Sequence, residues 1–237
     1  EARTFDYNEP DSMTKSLEGI DKLLLISGNE IGQRVRQHEN VIKASKEAGV
    51  KQIIYTSILR ADSSTISLAA EHLQTEKILK ESEIPFTLLR NGWYTENYTG
   101  SIPGAIAGGA FIGSAGDGKI SSASRADFGE AAAVVLTSEG HEGKAYELAG
   151  DHSYTLSEFA AEISKQAGKN IPYHNLPEKE YSNALKGFGL PDTIASGIAS
   201  WDVSASKGDL YSDDRTLSNL IGHPTTPMSD SVKAIIG

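Results

Sequence analysis

Apolar residues in this chain gather in short runs separated by longer, mixed stretches, and the runs lay out the elements. Leu23–Ser27 is apolar up to its last residue, the pattern of a strand covered on both faces in a parallel sheet. Gln52–Thr56 and Phe86–Leu89 have the same apolar and β-branched character. Ala2–Asp6 reads as one further strand, and Asp11–Leu17 as a short helix opened by Asp11 or Ser12. Between the runs, Val35–Ala48 presents Val41, Ile42, Ala44, Ser45 and Ala48 as a packing face and is closed by Gly49. Leu68–Glu81 is a second helix. Strand, helix, strand, helix at this spacing predicts βαβ units: an α/β, Rossmann-like parallel sheet with helices on both faces.

Beyond Asn97 the regularity loosens. Gly100–Gly118 is rich in Gly, Ala and Ser around an Ala110–Ile112 strand, and Ala126–Leu136 is a helix before an Ala145–Leu148 strand. Thr155-Leu156-Ser157-Glu158 is a capping box for a helix reaching Gly168. Ile171–His174 reads as a strand, and helices follow from Glu178. The expected division is a larger α/β domain over 1–150, with excursions into a second region, and a smaller, mostly helical subdomain over 151–237.

Composition narrows the chemistry. The absence of Cys from the 237 residues excludes disulfides, thiolate metal sites and Cys nucleophiles, and makes a reducing cytoplasm the expected location. A net charge of -10 argues against a nucleic-acid partner, whose phosphates need clustered Lys and Arg. The best small basic cluster is Arg34, Arg36 and His38. No apolar run approaches the roughly 20 residues needed to span a membrane, and no Cys/His grouping has metal-ligand spacing.

Candidate functional residues follow from the sheet. Ligands of open α/β sheets bind outside the carboxyl ends of the strands. Those ends carry Asp6-Tyr7, Ser27-Gly28-Asn29-Glu30, Thr56-Ser57 and Asn91-Gly92-Trp93-Tyr94, with Glu96 just beyond. Gly92 would permit close backbone approach, and the two aromatics would offer an apolar wall. Gly113-Ser114-Ala115-Gly116-Asp117-Gly118 is a turn: its glycine order is wrong for a phosphate loop, and no helix follows.

The stretches LLLISGNEIGQR, HENVIKASKEAGVK, IIYTSIL, AEHLQTEKIL, TLLRNGWYTENY, FIGSAGDGKISSASRADFGEAAAVVL, GKAYELAG and LIGHPTT resemble the NmrA-like, atypical short-chain dehydrogenases. Within that family they are most similar to the bacterial NAD(P)H:quinone oxidoreductases. The resemblance implies that 1–150 is part of an NAD(P)-binding domain and that 151–237 lies on the substrate side. It implies bound NADPH, with NADH as the other possibility, and a small-molecule quinone as partner. The family's GxxGxxG turn has no counterpart here and is expected ahead of Glu1. By the resemblance, Asp6, Tyr7, Ser27, Gly28, Asn29, Glu30, Thr56, Ser57, Asn91, Gly92, Trp93, Tyr94 and Glu96 meet the cofactor. Asn91, Trp93, Tyr94 and His72 serve the reaction.

One departure matters. Extended short-chain dehydrogenases carry a Tyr-x-x-x-Lys pair; Leu68 stands at its Tyr position and His72 at its Lys position, with Glu76 matching the acid that follows. Without the Tyr, ordinary ketone reduction lacks its proton donor. A quinone's product oxygen is phenol-like, with a pKa of order 10, and takes its proton from water. Two readings stay open: hydride transfer from the nicotinamide to a quinone, and a non-catalytic redox sensor that binds the dinucleotide.

Overall fold

The computed structural model describes residues 1–237, the side chain of Asp11 excepted. The chain folds into two compact units. The first is Glu1–Ser63, Leu68–Asn91 and Gly129–Glu147; the second is Ser64–Ser67, Gly92–Phe128 and Leu148–Gly237.

The first unit is built on a parallel sheet with helices on both faces. Strands β1 (Lys22–Leu25), β2 (Gln52–Ile58) and β3 (Phe86–Asn91) lie side by side, and β5 (Ala145–Leu148) follows β3 at the other edge. Lys22 pairs with Gln52 and Leu25 with Tyr55, all in parallel register, while Ile53 to Ile58 run parallel against Phe86 to Asn91. The β3–β5 hydrogen bonds advance together along both chains: Leu88 N–H donates to the Lys144 carbonyl, and Gly92 N–H to that of Leu148.

β2 is buried over its whole length. Alternation along a strand sends Ile53 and Tyr55 to one face and Ile54 to the other. Ile53 and Tyr55 join a core with Met13 and Leu17 from α1 (Pro10–Ser16) and its end, Val41, Ile42 and Ala44 from α2 (Arg34–Ala48), and Leu79 from α3 (Ala69–Glu81). Ile54 and Leu89, on the opposite face, are also fully buried, so the central strands are covered on both sides. α2 stops where expected. Gly49 takes φ 77°, which its missing Cβ permits, and the last turn closes with Gly49 and Val50 N–H donating to the Lys46 and Ser45 carbonyls.

One strand expectation fails. Ala2–Asp6 has no ladder partner and no β structure. A strand needs a neighbour for its backbone groups. Here the tie is by side chains instead: Arg3 donates to the Ser16 and Glu18 carbonyls, and the Ser16 hydroxyl to the Thr4 carbonyl. The expected opening by Asp11 or Ser12 does not hold: α1 starts at Pro10 with Glu9 at its N-cap and no side-chain cap bond. Ser12 sits within the first turn and donates its hydroxyl to the Glu9 carbonyl, and the Asp11 side chain lies outside the described residues.

The second unit holds α4 (Glu96–Thr99), α5 (Ile102–Gly108) and β4 (Phe111–Gly113), the last pairing in parallel with β6 (Tyr173–Asn175) as a small separate sheet. α6 (Arg125–Thr137) begins in this unit and ends in the first. α7 (Leu156–Ala167), α8 (Glu178–Gly187), α9 (Asp192–Ser206), α10 (Thr216–Ile221) and α11 (Met228–Ile236) complete it. Among the described residues no helix is long and apolar enough to cross a membrane. Gly113 ends β4, and Ser114–Gly118 forms the turn after it, where Ala205 backbone fills the space beside Gly118.

The capping box of α7 forms in both directions. The Thr155 hydroxyl accepts from Glu158 N–H at 3.2 Å, and the Glu158 carboxylate accepts from Thr155 N–H at 2.7 Å. Thr155→Ala removes the first of these, so a loss of about 1 kcal/mol is expected, read as a lower urea midpoint at unchanged slope.

Candidate active site

The carboxyl ends of β1 and β2 converge on the Ser27–Glu30 loop, and that loop is held by side chains. Ser27 N–H donates to Thr56 Oγ1 at 2.8 Å. Gly28 N–H donates to His38 Nε2 at 2.9 Å, and the Gly28 carbonyl accepts from Arg34 Nε at 2.7 Å. Further along, Gly32 N–H donates to Glu71, and Glu30 accepts from Gln37 Nε2 at 2.6 Å. Tyr7 joins from the N-terminal segment: its hydroxyl donates to the Ile26 carbonyl at 3.0 Å and its ring stands edge-on to His38. Asp6 stays exposed and accepts from Asn8 N–H in a turn of its own. Asn29 is exposed as well, and Ile26 and Ile31 on either side of the loop are 58% and 50% exposed.

His38 and His72 have definite proton states. A backbone N–H can only donate, so His38 Nε2 is bare and Nδ1–H faces Thr75 Oγ1 at 3.0 Å. Arg34 Nη1 can likewise only donate, so His72 Nε2 accepts from it at 3.4 Å and Nδ1–H reaches Tyr55 Oη at 2.8 Å. Burial, then the Arg34 guanidinium, pushes His38 down to about 4 and His72 down to about 3. His72 is 5% exposed, neutral, and engaged at both ring nitrogens. One expectation is corrected. Of the basic cluster Arg34, Arg36 and His38, only Arg36 reaches the surface, where it donates to Asn8 Oδ1. The other two turn inward.

At the end of β3 stands a polar network of which the sequence reading named Ser57 and Glu76 but missed the partners. Arg90, 8% exposed, meets Glu76 in bidentate fashion at 2.9 and 2.8 Å and adds Glu147 at 2.8 Å and Asp62 at 3.0 Å. Ser57 donates to the same Glu76 at 2.7 Å. Ser57 is therefore tied inward, and Asn91 is 5% exposed, its backbone carbonyl accepting from Leu59 N–H. The signal was available: an Arg closing an otherwise apolar strand must be paired if the strand is buried.

The second unit carries the remaining predicted residues. A Cβ on Gly92 would stand 2.8 Å from the Leu148 carbonyl oxygen, so the neighbouring strand alone explains the glycine. The chain's two tryptophans meet, Trp93 and Trp201 with ring centres 5.9 Å apart at 71°. Trp201 donates to Ser67 Oγ, whereas the buried Trp93 indole N–H has no protein acceptor. Tyr94 lies under the Arg125 guanidinium and against Phe128. Glu96 accepts from Arg125 N–H at 2.9 Å and so serves the start of α6. Among the described residues no grouping of His, Asp and Glu is arranged to hold a metal ion.

The neutral histidines set a pH dependence. Their unfolded values lie near 6.5, so the unfolded chain takes up protons first on acidification. The stability they contribute is present above about pH 6.5 and is lost as pH falls toward 4. Asp202, buried and raised to about 6, works the other way below pH 6 but offsets only one of the two protons. Urea unfolding at pH 7 and pH 5 should show a net loss of about 2 kcal/mol.

Comparison with known proteins places this architecture. The chain is 57% identical over 230 residues to quinone oxidoreductase 2 of Escherichia coli strain K12, covering 97% of this chain and 80% of that protein. A crystal structure of an NADPH-dependent quinone oxidoreductase from Escherichia coli, complexed with NADPH, superposes with a TM-score of 0.97 at 56% identity, covering 99% of this chain and 83% of that one. The triphenylmethane reductase of Citrobacter sp., complexed with NADP(H), follows at TM-score 0.94 and 38% identity over 99% and 84%. The model of the NmrA-like family matches residues 4–219, and the chain belongs to that family.

Proposed function

We propose that this protein reduces quinones with NADPH by hydride transfer. The observation that carries the reading is the 57% identity to a quinone oxidoreductase along nearly the whole chain, and the polar architecture of the first unit supports it. The exposed Ile26 and Ile31 beside the held Ser27–Glu30 loop offer apolar surface for a dinucleotide to cover, so the residues fit the cofactor. Ser27, Gly28, Asn29 and Glu30 would hold it, with Thr56 fixing the loop and Tyr7 at its edge. NADPH, when bound, supplies the hydride.

The protein's own groups position and do not protonate. His72, neutral and pushed down to about 3, has no proton to give at neutral pH. That suits a quinone, whose product oxygen is weakly basic and is served by water. The acceptor side is assigned to Trp93 and Tyr94. One face of Tyr94 is occupied by Arg125, which leaves Trp93 the larger share. The fold offers no specific observation in favour of the sensor.

Steady-state NADPH oxidation with a small benzoquinone tests the reading, with NADPH titrations alongside. Trp93→Ala should lower kcat/KM for the quinone about tenfold, of order 1 kcal/mol or more, and leave NADPH affinity within twofold. Wild-type protein that binds NADPH without quinone-dependent oxidation would hand the case to the sensor. Equal turnover in the two proteins would remove Trp93 from the site.

A further inference from the structure

The Ser27–Glu30 loop has an unusual mode of support. Both polar backbone groups of Gly28 are taken by side chains from α2: the N–H by His38 and the carbonyl by Arg34. The two side chains are themselves fixed. His38 is fully buried, its Nδ1–H faces Thr75 Oγ1, and its ring is held edge-on between Tyr7 and Tyr55. The Thr75 hydroxyl in turn donates a hydrogen bond to the Glu71 carbonyl. Arg34, 6% exposed, lies within 3.4 Å of His72 and 3.6 Å of Glu71. A chain of buried groups thus runs from α3 through α2 to one glycine, with the acceptor and the donor on α2 each matched to what that glycine offers.

Such a device is more than a loop needs merely to stay folded. An exposed strand-to-helix turn satisfies its backbone with water. Here the amide and carbonyl are oriented from inside, which leaves the outer side of Gly28 and Asn29 to a ligand and fixes their shape beforehand. Preorganisation of this kind raises affinity by removing the ordering cost at binding.

We propose that His38 and Arg34 are positioning residues for the dinucleotide, clamping Gly28 so that the Ser27–Glu30 loop is already in its cofactor-receiving shape. This rests on the assignment of that loop to NADPH. His38 touches neither cofactor nor quinone in this scheme and acts through Gly28 alone.

Two substitutions of similar size separate the clamp from simple core packing. A Gln side chain places its terminal amide oxygen about where Nε2 stands and can still accept from Gly28 N–H. An Asn side chain reaches only as far as Nδ1, keeping the approach to Thr75 and leaving the Gly28 amide without its acceptor. NADPH dissociation constants for full-length wild type, His38→Gln and His38→Asn are measured by fluorescence titration, together with KM for each substrate, kcat and thermal melting. His38→Asn should raise the NADPH Kd and KM about tenfold, with kcat at saturating NADPH and the quinone KM within twofold. His38→Gln should recover the NADPH Kd to within about twofold of wild type.

Equal NADPH affinity in His38→Asn and wild type would overturn the clamp. So would equal weakening in the Asn and Gln variants, or a rise in the quinone KM matching that for NADPH, since either marks a general packing role. Should His38→Asn fail to fold, Arg34→Lys repeats the test from the carbonyl side: it keeps the cation but loses the Nε donor, and unchanged NADPH affinity there also overturns the proposal. Wild type that binds no NADPH strikes the cofactor assignment itself, and the clamp falls with it. Wild type that binds while all variants bind equally strikes the clamp alone.

Discussion

A guanidinium enclosed at the end of a buried strand is the constraint around which the first unit is arranged. Arg90 closes β3, and burying its charge without partners would cost several kcal/mol. Glu76 from α3 answers it with two oxygens, and Glu147 from the end of β5 with a third. The same Glu76 takes the Ser57 hydroxyl at the end of β2. Glu147 also accepts from Arg60 N–H, where the backbone turns through φ 51°, a conformation a residue with a side chain adopts only when held. One ion pair therefore fixes α3 against two strands and shapes the turn after β2. Removing Arg90 would leave Glu76, itself 0% exposed, without its countercharge.

The polar groups at the strand ends divide between those that hold the backbone and those that hold one another. Thr56, His38 and Arg34 satisfy the backbone of Ser27 and Gly28, and His72 is spent on Tyr55 and Arg34. This division explains why a histidine at a position where related enzymes use a lysine need not act as one. Enclosed beside an arginine, it gives up its proton and becomes part of the support. Reduction of a flat, phenol-forming acceptor tolerates that arrangement because the protein is asked for position and not for acid.

The apolar runs were sufficient for the strands β1, β2 and β3 and for α2, α3 and α7, since each carries its own signal: continuous β-branched character, a packing face with a closing glycine, a capping box. They misled at Ala2–Asp6, whose strand-like composition found no ladder partner, and they left Tyr7 and Ser27–Glu30 legible only as strand ends. The family resemblance added the cofactor and the quinone. It could not say that Gly92 is a glycine because the Leu148 carbonyl passes 2.8 Å from where its Cβ would be, or that Glu96 caps the start of α6.

What the sequence determined by itself was local: which segments are helices or strands and which end of the sheet carries polar residues; that the proton-donating tyrosine is missing followed from the family resemblance. Only the tertiary structure decided which of those polar residues face outward. Arg34 and Arg36 stand two residues apart on one helix, about 200° around its axis, and one is buried against Glu71 and His72 while the other lies in solvent. His38 and His72 are far apart in the chain yet share one buried network through Arg34, Tyr55 and Thr75. The charge of such groups depends on what surrounds them in space, on desolvation and on partners from other elements. No spacing along the chain encodes that.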